Sequence, residues 1–485
     1  MTTHAPAAPI AARTAPARSR ALALAVLCAG MLMIVLDGSI VTVALPAIQD
    51  DLHFSPADLT WTVNAYLIAF GGLLLLAGRL GDLIGRKQVF VAGLVLFTAA
   101  SLLCALATGQ GVLIAARFLQ GVGGAMTSSV SLGMIVTLFP EPRERGRAIG
   151  AFSFVGAAGA SIGQVLGGVL TEALDWHWIF LINLPLGLAA ALLAVRVLEG
   201  DRGPGLRAGA DALGAALVTG ALMLGIYTLV GAGEHGWASA RTLGLGALSL
   251  ALLAGFLLRQ ARAAQPLLPL RMFRSRDVSG ANAVQVLMVS GLFAFQILIA
   301  LYLQNVRGYG AAATGLAMLP AALAIGTVSL VLSARLNARF GERPVLLAGL
   351  GLLVVALALL TRLPADADYV LDLLPTMLSA AGFGLAISAL TALGMSGAGP
   401  ADAGTASGLF NTTQQVGGAL GVAVLTTLAD GRARALTAAG QPAAEALTGG
   451  FRLAFAVAAG LLSVALLLAA TVLRPGVNAA DSQAG

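Results

Sequence analysis

The sequence predicts an all-α polytopic membrane protein, and three observations carry that prediction. Of 485 residues, 58% are apolar and only 10% are charged, against about 25% charged in an ordinary soluble domain. The mean hydropathy is +0.91. The charges fall in short breaks between apolar runs long enough to cross a bilayer. So few polar groups cannot cover a soluble surface, and so much hydrophobicity excludes disorder. The net charge of +6 is not a nucleic-acid signal, because the basic residues lie in connections, where they orient membrane helices.

Taken in order, the first apolar run is 21–49, broken only by Asp37. The Ala/Pro/Arg-rich stretch before it, 1–20, reads as a disordered tail. Arg13, Arg18 and Arg20 ahead of an apolar run also fit a signal peptide, although the run is long for one. Runs 59–78, 88–116 and 118–140 follow; the last of these helices begins near Val112, which puts Arg117 inside it. Runs 148–171 and 176–195 complete a first six-helix half, 21–198. A pair, 212–233 and 242–258, makes up an insert, 199–260. The second half, 261–475, holds 278–306, 308–334, 344–361, 373–401, 403–429 and 453–473, and a short tail, 476–485, closes the chain. At about 20 residues per span, this is fourteen transmembrane helices.

Arg79, Arg86 and Lys87, then Arg143, Arg145 and Arg147, then Arg335, Arg339 and Arg343 gather in alternate connections, while the intervening ones hold far fewer basic residues. That bias puts both termini in the cytoplasm. Lys87 is the single lysine in an Ala- and Gly-rich chain, which points to a GC-rich bacterial gene and hence to a bacterial cytoplasmic membrane. Cys28 and Cys104 fall at different depths of their helices, so no disulfide is expected. The four histidines are scattered and no metal-ligand cluster is evident.

The segment Gly78-Arg79-Leu80-Gly81-Asp82-Leu83-Ile84-Gly85-Arg86-Lys87 aligns with Ala334 to Arg343, half the chain away. Each follows the second helix of a six-helix half. Parallel halves related by an axis along the membrane normal form a transporter architecture, with the substrate path between them.

At these residues the chain resembles the major facilitator superfamily, and within it the fourteen-helix drug:proton antiporter branch. Gly78–Lys87 is similar to the family's loop signature after helix 2. Arg117-Phe118-Leu119-Gln120-Gly121-Val122-Gly123 is similar to its R-x-x-Q-G-x-G signature in helix 4. Leu36 to Pro46 and Asp175 to Pro185 resemble further runs of the branch, with His177 where an arginine is usual. The helix 5 antiporter signature is matched at Gly150, Gly159, Gly163, Gly167 and Gly168. Gln164 replaces its proline, so a proline kink is expected to be missing. The resemblance implies a major facilitator fold, a small lipophilic substrate expelled by alternating access, energy from the proton gradient with no cofactor, and a cytoplasmic lock at Asp82.

Asp37 is the sharpest chemical signal. A carboxylate in the hydrocarbon costs at least about 2.5–3.5 kcal/mol on insertion scales, and desolvation favours its protonated form, as a reversible proton site requires. Pairing that merely holds helices together is the plainer reading. Arg117 lies at a similar depth and is a partner for Asp37, or else reaches back to the interface. Asp82, Gly85, Arg86 and Lys87 form the turn after helix 2. Gly85 permits tight backbone geometry, and the N-terminus of the helix starting near Ala403 could attract Asp82. Arg86 and Lys87 also serve as plain orientation charges. Polar or aromatic groups in apolar spans are the cavity candidates: Asn64, Tyr66, Gln164, Gln285, Phe293, Gln296, Asn411, Gln414 and Gln415. Each fits interhelical hydrogen bonding equally well.

The expectation is a monomeric proton-coupled efflux antiporter for small lipophilic, cationic or neutral compounds, with protons and the bilayer as its other partners and no nucleic acid. A dedicated exporter of one self-made antibiotic or metabolite fits the same sequence, as does a proton-coupled uptake symporter. A membrane sensor or lipid-modifying enzyme has no nucleophile, metal or nucleotide motif behind it.

Overall fold

Capping residues set where the helices begin. Ser55 accepts from the Asp58 amide at 3.1 Å, with Pro56 in the first turn, and Asp211, Ser239 and Ser275 cap three later helices in the same way. Glycines with positive φ end them: Gly85, Gly236 and Gly341 each follow the last helical residue. The computed structural model describes residues 17–201, 203–205, 211–263, 266–396 and 402–473. Every regular element among the described residues is helical.

The first half comprises α1 (Ala17–Leu52), α2 (Pro56–Ile84), α3 (Arg86–Ala105), α4 (Gln110–Leu138), α5 (Pro142–Ala173), and a short α6 (Trp178–Leu181) that continues into α7 (Asn183–Val197). The insert is α8 (Ala212–His235) and α9 (Ala240–Arg262). The second half comprises α10 (Arg276–Asn305), α11 (Ala311–Thr327), α12 (Ala334–Phe340), α13 (Glu342–Leu360), α14 (Leu374–Ser379), α15 (Ala381–Met395), α16 (Ala403–Ala438) and α17 (Ala443–Val472). A π-helical stretch, Val328–Ser333, joins α11 to α12, and another, Tyr369–Leu373, precedes α14.

Within the first half α1 packs on α5, α2 on α4, and α3 on α4 and α7. In the second, α10 packs on α16 and α17, and α13 on α15 and α17. The halves meet where α16 lies against α2 and α4, and where α5 lies against α11 and α15. One apolar core runs through both, from Ala23 to Leu473. The insert flanks the bundle, with α8 against α2 and α16 and Trp237 Nε1 donating to Thr427 Oγ1 at 3.0 Å.

Among the described residues twelve helices are long and apolar enough to cross a membrane, or thirteen if the two arms of α5 count as one span. The fourteenth expected span, 403–429, is helical but fails that test. Thr405, Ser407, Asn411, Thr412, Gln414 and Gln415 lower its hydropathy, and Thr405, Ser407, Asn411 and Thr412 are buried inside the bundle. The first helix starts at Ala17, so residues 17–20 of the expected tail are helical, and Arg20 reaches Glu144 at 2.5 Å. The remainder of that tail, 1–16, and the closing tail, 476–485, lie outside the described residues.

With Gln164 in place of a proline, α5 is nevertheless not straight. α5 bends by 40° between Ala160 and Val165, without a proline. Glycine and serine sites also bend helices, and Gly159 and Gly163 flank this one. They bring α5 close to α1, for a Cβ on Gly159 would lie 3.1 Å from Leu32, and one on Gly163 would lie 2.8 Å from the Leu36 carbonyl and against Ser39. A Cβ on Gly167 would sit 2.9 Å from the Ile40 carbonyl, whereas Gly168 faces looser space, 4.0 Å from Val43. Gly150 abuts the Ser329 carbonyl in the other half. The side chain of Gln164 lies outside the described residues.

Candidate functional site

Asp37 sits in the middle of α1 with no solvent exposure. A buried carboxylate must be paired and hydrogen-bonded, and the neighbouring helices supply the partners. Arg117 Nη1, from α4, donates to Asp37 Oδ2 at 2.5 Å. On the other oxygen, Gln120 Nε2 donates to Oδ1 at 2.7 Å and Asn183 Nδ2 at 3.0 Å. Gln120 is one turn along α4 from Arg117, so both point to the same side, and Asn183 opens α7 just after the break at Ile182.

The arginine is held equally well. Its Nε donates to the Thr62 carbonyl at 3.0 Å and Nη1 also to Gln120 Oε1 at 2.6 Å. The guanidinium lies 4.4 Å from the centre of the Tyr66 ring and 5.9 Å from that of Phe180, a cation–π arrangement strengthened by desolvation. Ser101 on α3 accepts from Gln120 at 2.7 Å. Six helices therefore meet at one ion pair. A buried pair of this kind resists loss of either partner, because the survivor is left as an uncompensated charge. Chemically, it is a carboxylate whose proton uptake would release an arginine.

The second cluster is at the far end of α2. Asp82 Oδ1 accepts from the Gly404 amide at 2.9 Å; Oδ2 accepts from the Thr405 amide at 2.7 Å and the Thr405 hydroxyl at 2.8 Å. Asp82 thus caps α16, placing negative charge at the helix N-terminus, where the dipole favours it. Arg86 holds the same carboxylate, with Nη2 3.0 Å from Oδ1. Glycines make the approach possible: a Cβ on Gly404 would fall 2.6 Å from Asp82 Oδ1, and one on Gly78 would strike the Gly404 carbonyl. Gly85 has φ +114°, a region that favours glycine. Beyond it Asp201 accepts from the Arg86 and Lys87 amides at 3.1 and 3.2 Å, and Lys87 Nζ donates to the Val195 and Leu198 carbonyls at the end of α7. Of these contacts, the bonds from Asp82 to Gly404 and Thr405 join the two halves at this end.

The cavity candidates lie at several places in this structure. Tyr66 is buried beneath Arg117. Asn64 lines a cavity of about 270 Å³ between α2 and the insert, with Trp61, Tyr227 and Arg241. Asn411 donates to the Ser407 carbonyl at 2.9 Å and to the Ser128 carbonyl at 3.4 Å, so it joins α16 to α4. Gln285 is buried with its Oε1 unpartnered among the described residues. Gln414 and Gln415 are half-buried on α16, the latter beside Gly71, and Gln296 is exposed. The side chain of Phe293 lies outside the described residues. Cys28 and Cys104 are both free thiols.

Comparison with known proteins bears on this arrangement. The family model of the Major Facilitator Superfamily matches residues 27–422. The chain belongs to that superfamily. Among its relatives, a puromycin resistance protein of Streptomyces alboniger is 38% identical over 466 residues, 94% of this chain and 92% of the relative. A cephamycin export protein of Amycolatopsis lactamdurans is 39% identical over 419 residues, 86% of each. A tetracenomycin C resistance and export protein of Streptomyces glaucescens is 36% identical, covering 88% of this chain and 78% of that one. The crystal structure of a human organic anion transporter superposes with a TM-score of 0.68 over 94% of this chain and 100% of that one, at 16% identity; it shares the fold.

Within this superfamily member, sequence reasoning missed Gln120, Asn183, Ser101 and Thr62 at the ion pair, and Thr405 and Asp201 at the Asp82 end. Gln120 and Asn183 were visible as polar residues inside apolar runs, and both stand in the motif segments. What singled them out was the convergence of α1, α4 and α7, which no local pattern contains. The Thr62 contribution is a backbone carbonyl and leaves no mark in the sequence.

Proposed function

We propose that the chain is a proton-coupled antiporter that exports a small lipophilic compound across the bacterial cytoplasmic membrane as a monomer. Both termini and the Asp82 cluster face the cytoplasm in this reading, and the proton gradient is the energy source, without a cofactor. The observation that carries it is the buried Asp37–Arg117 ion pair at 2.5 Å, a paired carboxylate in the heart of a transporter fold.

With Asp82 bonded to α16 the cytoplasmic side is closed, and in this reading protons reach the buried Asp37 from the outer side. A proton arriving from outside neutralises Asp37, loosens Arg117 and relaxes the contact between α1 and α4. Because α1 is packed tightly on α5, and α5 on the other half, the change favours parting of the halves at the Asp82 end. Substrate then enters from the cytoplasm and the proton leaves. Each proton carried inward draws on about 2.3 kcal/mol per 100 mV of membrane potential.

The named relatives are each named for one antibiotic: puromycin, cephamycin or tetracenomycin C. That favours a second reading in which this exporter is dedicated to one antibiotic or metabolite. Everted vesicles containing the protein test the mechanism. Asp37→Asn should abolish pH-driven substrate uptake into them while the variant still folds and inserts; undiminished uptake would refute proton coupling at Asp37. A panel of antibiotics in the same vesicles separates a broad pump from a dedicated one.

A further inference from the structure

The geometry points to a phosphate-binding site, filled by the headgroup of an anionic phospholipid, in the cleft between α5 and α12. Four arginines line it: Arg143 and Arg147 from the first turns of α5, and Arg335 and Arg339 from α12. Ala334 and Ala338, one turn apart, also line it, and the cavity measures about 380 Å³, within the range of small-molecule sites. Among the described residues no carboxylate lies within salt-bridge distance of these four guanidiniums. The nearby Glu144 is taken by Arg20 at 2.5 Å, and the Arg339 guanidinium lies 5.2 Å over the Phe340 ring.

Charges that only orient the helices need no particular arrangement, since topology responds to their number in a loop. Here two pairs from opposite halves of the molecule converge on one cleft. Close packing brings them there: a Cβ on Gly146 would lie 3.6 Å from Ala334. Like charges so gathered repel and oppose the approach of α5 to α12, and a phosphate removes that repulsion. Arginine suits the task, for its planar fork matches phosphate oxygens in bidentate fashion. The cleft is at the same end as the Asp82 cluster, and its placement among cytoplasmic headgroups rests on the proposed orientation. Basic pockets between helices on that side recognise anionic lipid headgroups. An occupied site bridges the halves and favours the state in which the cytoplasmic end is closed.

The test is a binding measurement on the delipidated full-length protein in neutral detergent, so failure of proton coupling would leave its result standing. Short-chain phosphatidylglycerol, short-chain phosphatidylcholine and inorganic pyrophosphate are titrated, with bound species counted by native mass spectrometry. Phosphatidylglycerol should bind more tightly than phosphatidylcholine. Arg335→Gln/Arg339→Gln should weaken it by about thirty-fold, and Arg143→Gln/Arg147→Gln, on the opposite wall, by a similar factor. Arg274→Gln/Arg276→Gln removes the same charge from another connection and should change affinity by less than about three-fold. Tight binding of pyrophosphate as well makes free phosphates a second source of ligand; binding of the lipid alone assigns the site to headgroups. Equal losses in all three double variants, or no preference for the anionic lipid together with no pyrophosphate binding, overturn the proposal.

Discussion

At the scale of the residue, the Asp37–Arg117 pair makes unequal demands on its two partners. Asp37→Asn keeps an oxygen for Arg117 and remains close in shape, yet cannot exchange a proton. Arg117→Ala leaves a carboxylate buried without its cation, a loss of about 3–5 kcal/mol. Thermal unfolding of the purified protein should therefore show a far larger drop for Arg117→Ala than for Asp37→Asn, while both lack pH-driven transport. Gln120→Leu removes a donor to Asp37 and an acceptor for Arg117 at once. A loss of about 1–3 kcal/mol follows from each buried group left unsatisfied, and the same unfolding measurement checks it. The pair was half legible in the sequence. A charge inside an apolar run stands out, so Asp37 and Arg117 were visible, and their depths agreed. Their neutral partners were not, because glutamine and asparagine occur in membrane helices for many reasons and only the fold decides which ones meet.

At the scale of the element, the seam between α1 and α5 rests on small residues. Gly163→Leu would drive a side chain into Ser39 and the Leu36 carbonyl; overpacking of this kind costs about 1–3 kcal/mol and would displace the segment that carries Asp37. Transport should fall more than the unfolding temperature in that variant. The bend in α5 shows how a local rule misleads. Absence of proline removed one cause of bending, but close glycine packing supplies another. The insert makes a prediction of its own. Burial pushes the Asp211 carboxyl up, yet hydrogen bonds from the Gly214 amide, Gln260 and Arg259 more than offset it and hold the group below the usual carboxylate range. Its stabilisation of the α8–α9 junction is present above the unfolded value near 4 and is lost as pH falls through the lower folded value. Hydrogen exchange at the start of α8 should accelerate on that acid side, and Asp211→Asn should flatten the dependence.

At the scale of the whole molecule, the halves are joined at one end by Asp82 on α16. Asp82→Asn discards a charge from several charge-assisted hydrogen bonds, each worth about 1.5–3 kcal/mol. The conformational balance should then move by about ten-fold or more toward opening at that end. Spin-label distances between α2 and α16 would record it, and an unchanged distribution would mean that other contacts hold the end closed. The repeat of Gly78–Lys87 at Ala334–Arg343 has a counterpart in the backbone, since Gly85 and Gly341 both take positive φ between consecutive helices. The correspondence of charge did not repeat, for Ala338 stands where the first half has Asp82.

α16 has a consequence for how the protein is made. Thr405, Asn411 and Thr413 pair with Asp82 on α2, Ser128 on α4 and Asn282 on α10 inside the bundle, and the helix has a lower hydropathy than the spans around it. Insertion of this segment during synthesis depends on helices already in place, α10 above all, whose Ser290 donates to the Gly417 carbonyl at 2.8 Å. A nascent chain that reaches α16 before its neighbours have assembled holds that segment at the membrane surface. Biogenesis is therefore most vulnerable late, and Ser290→Leu, a change that raises the hydropathy of α10 itself, should lower the yield of correctly inserted protein.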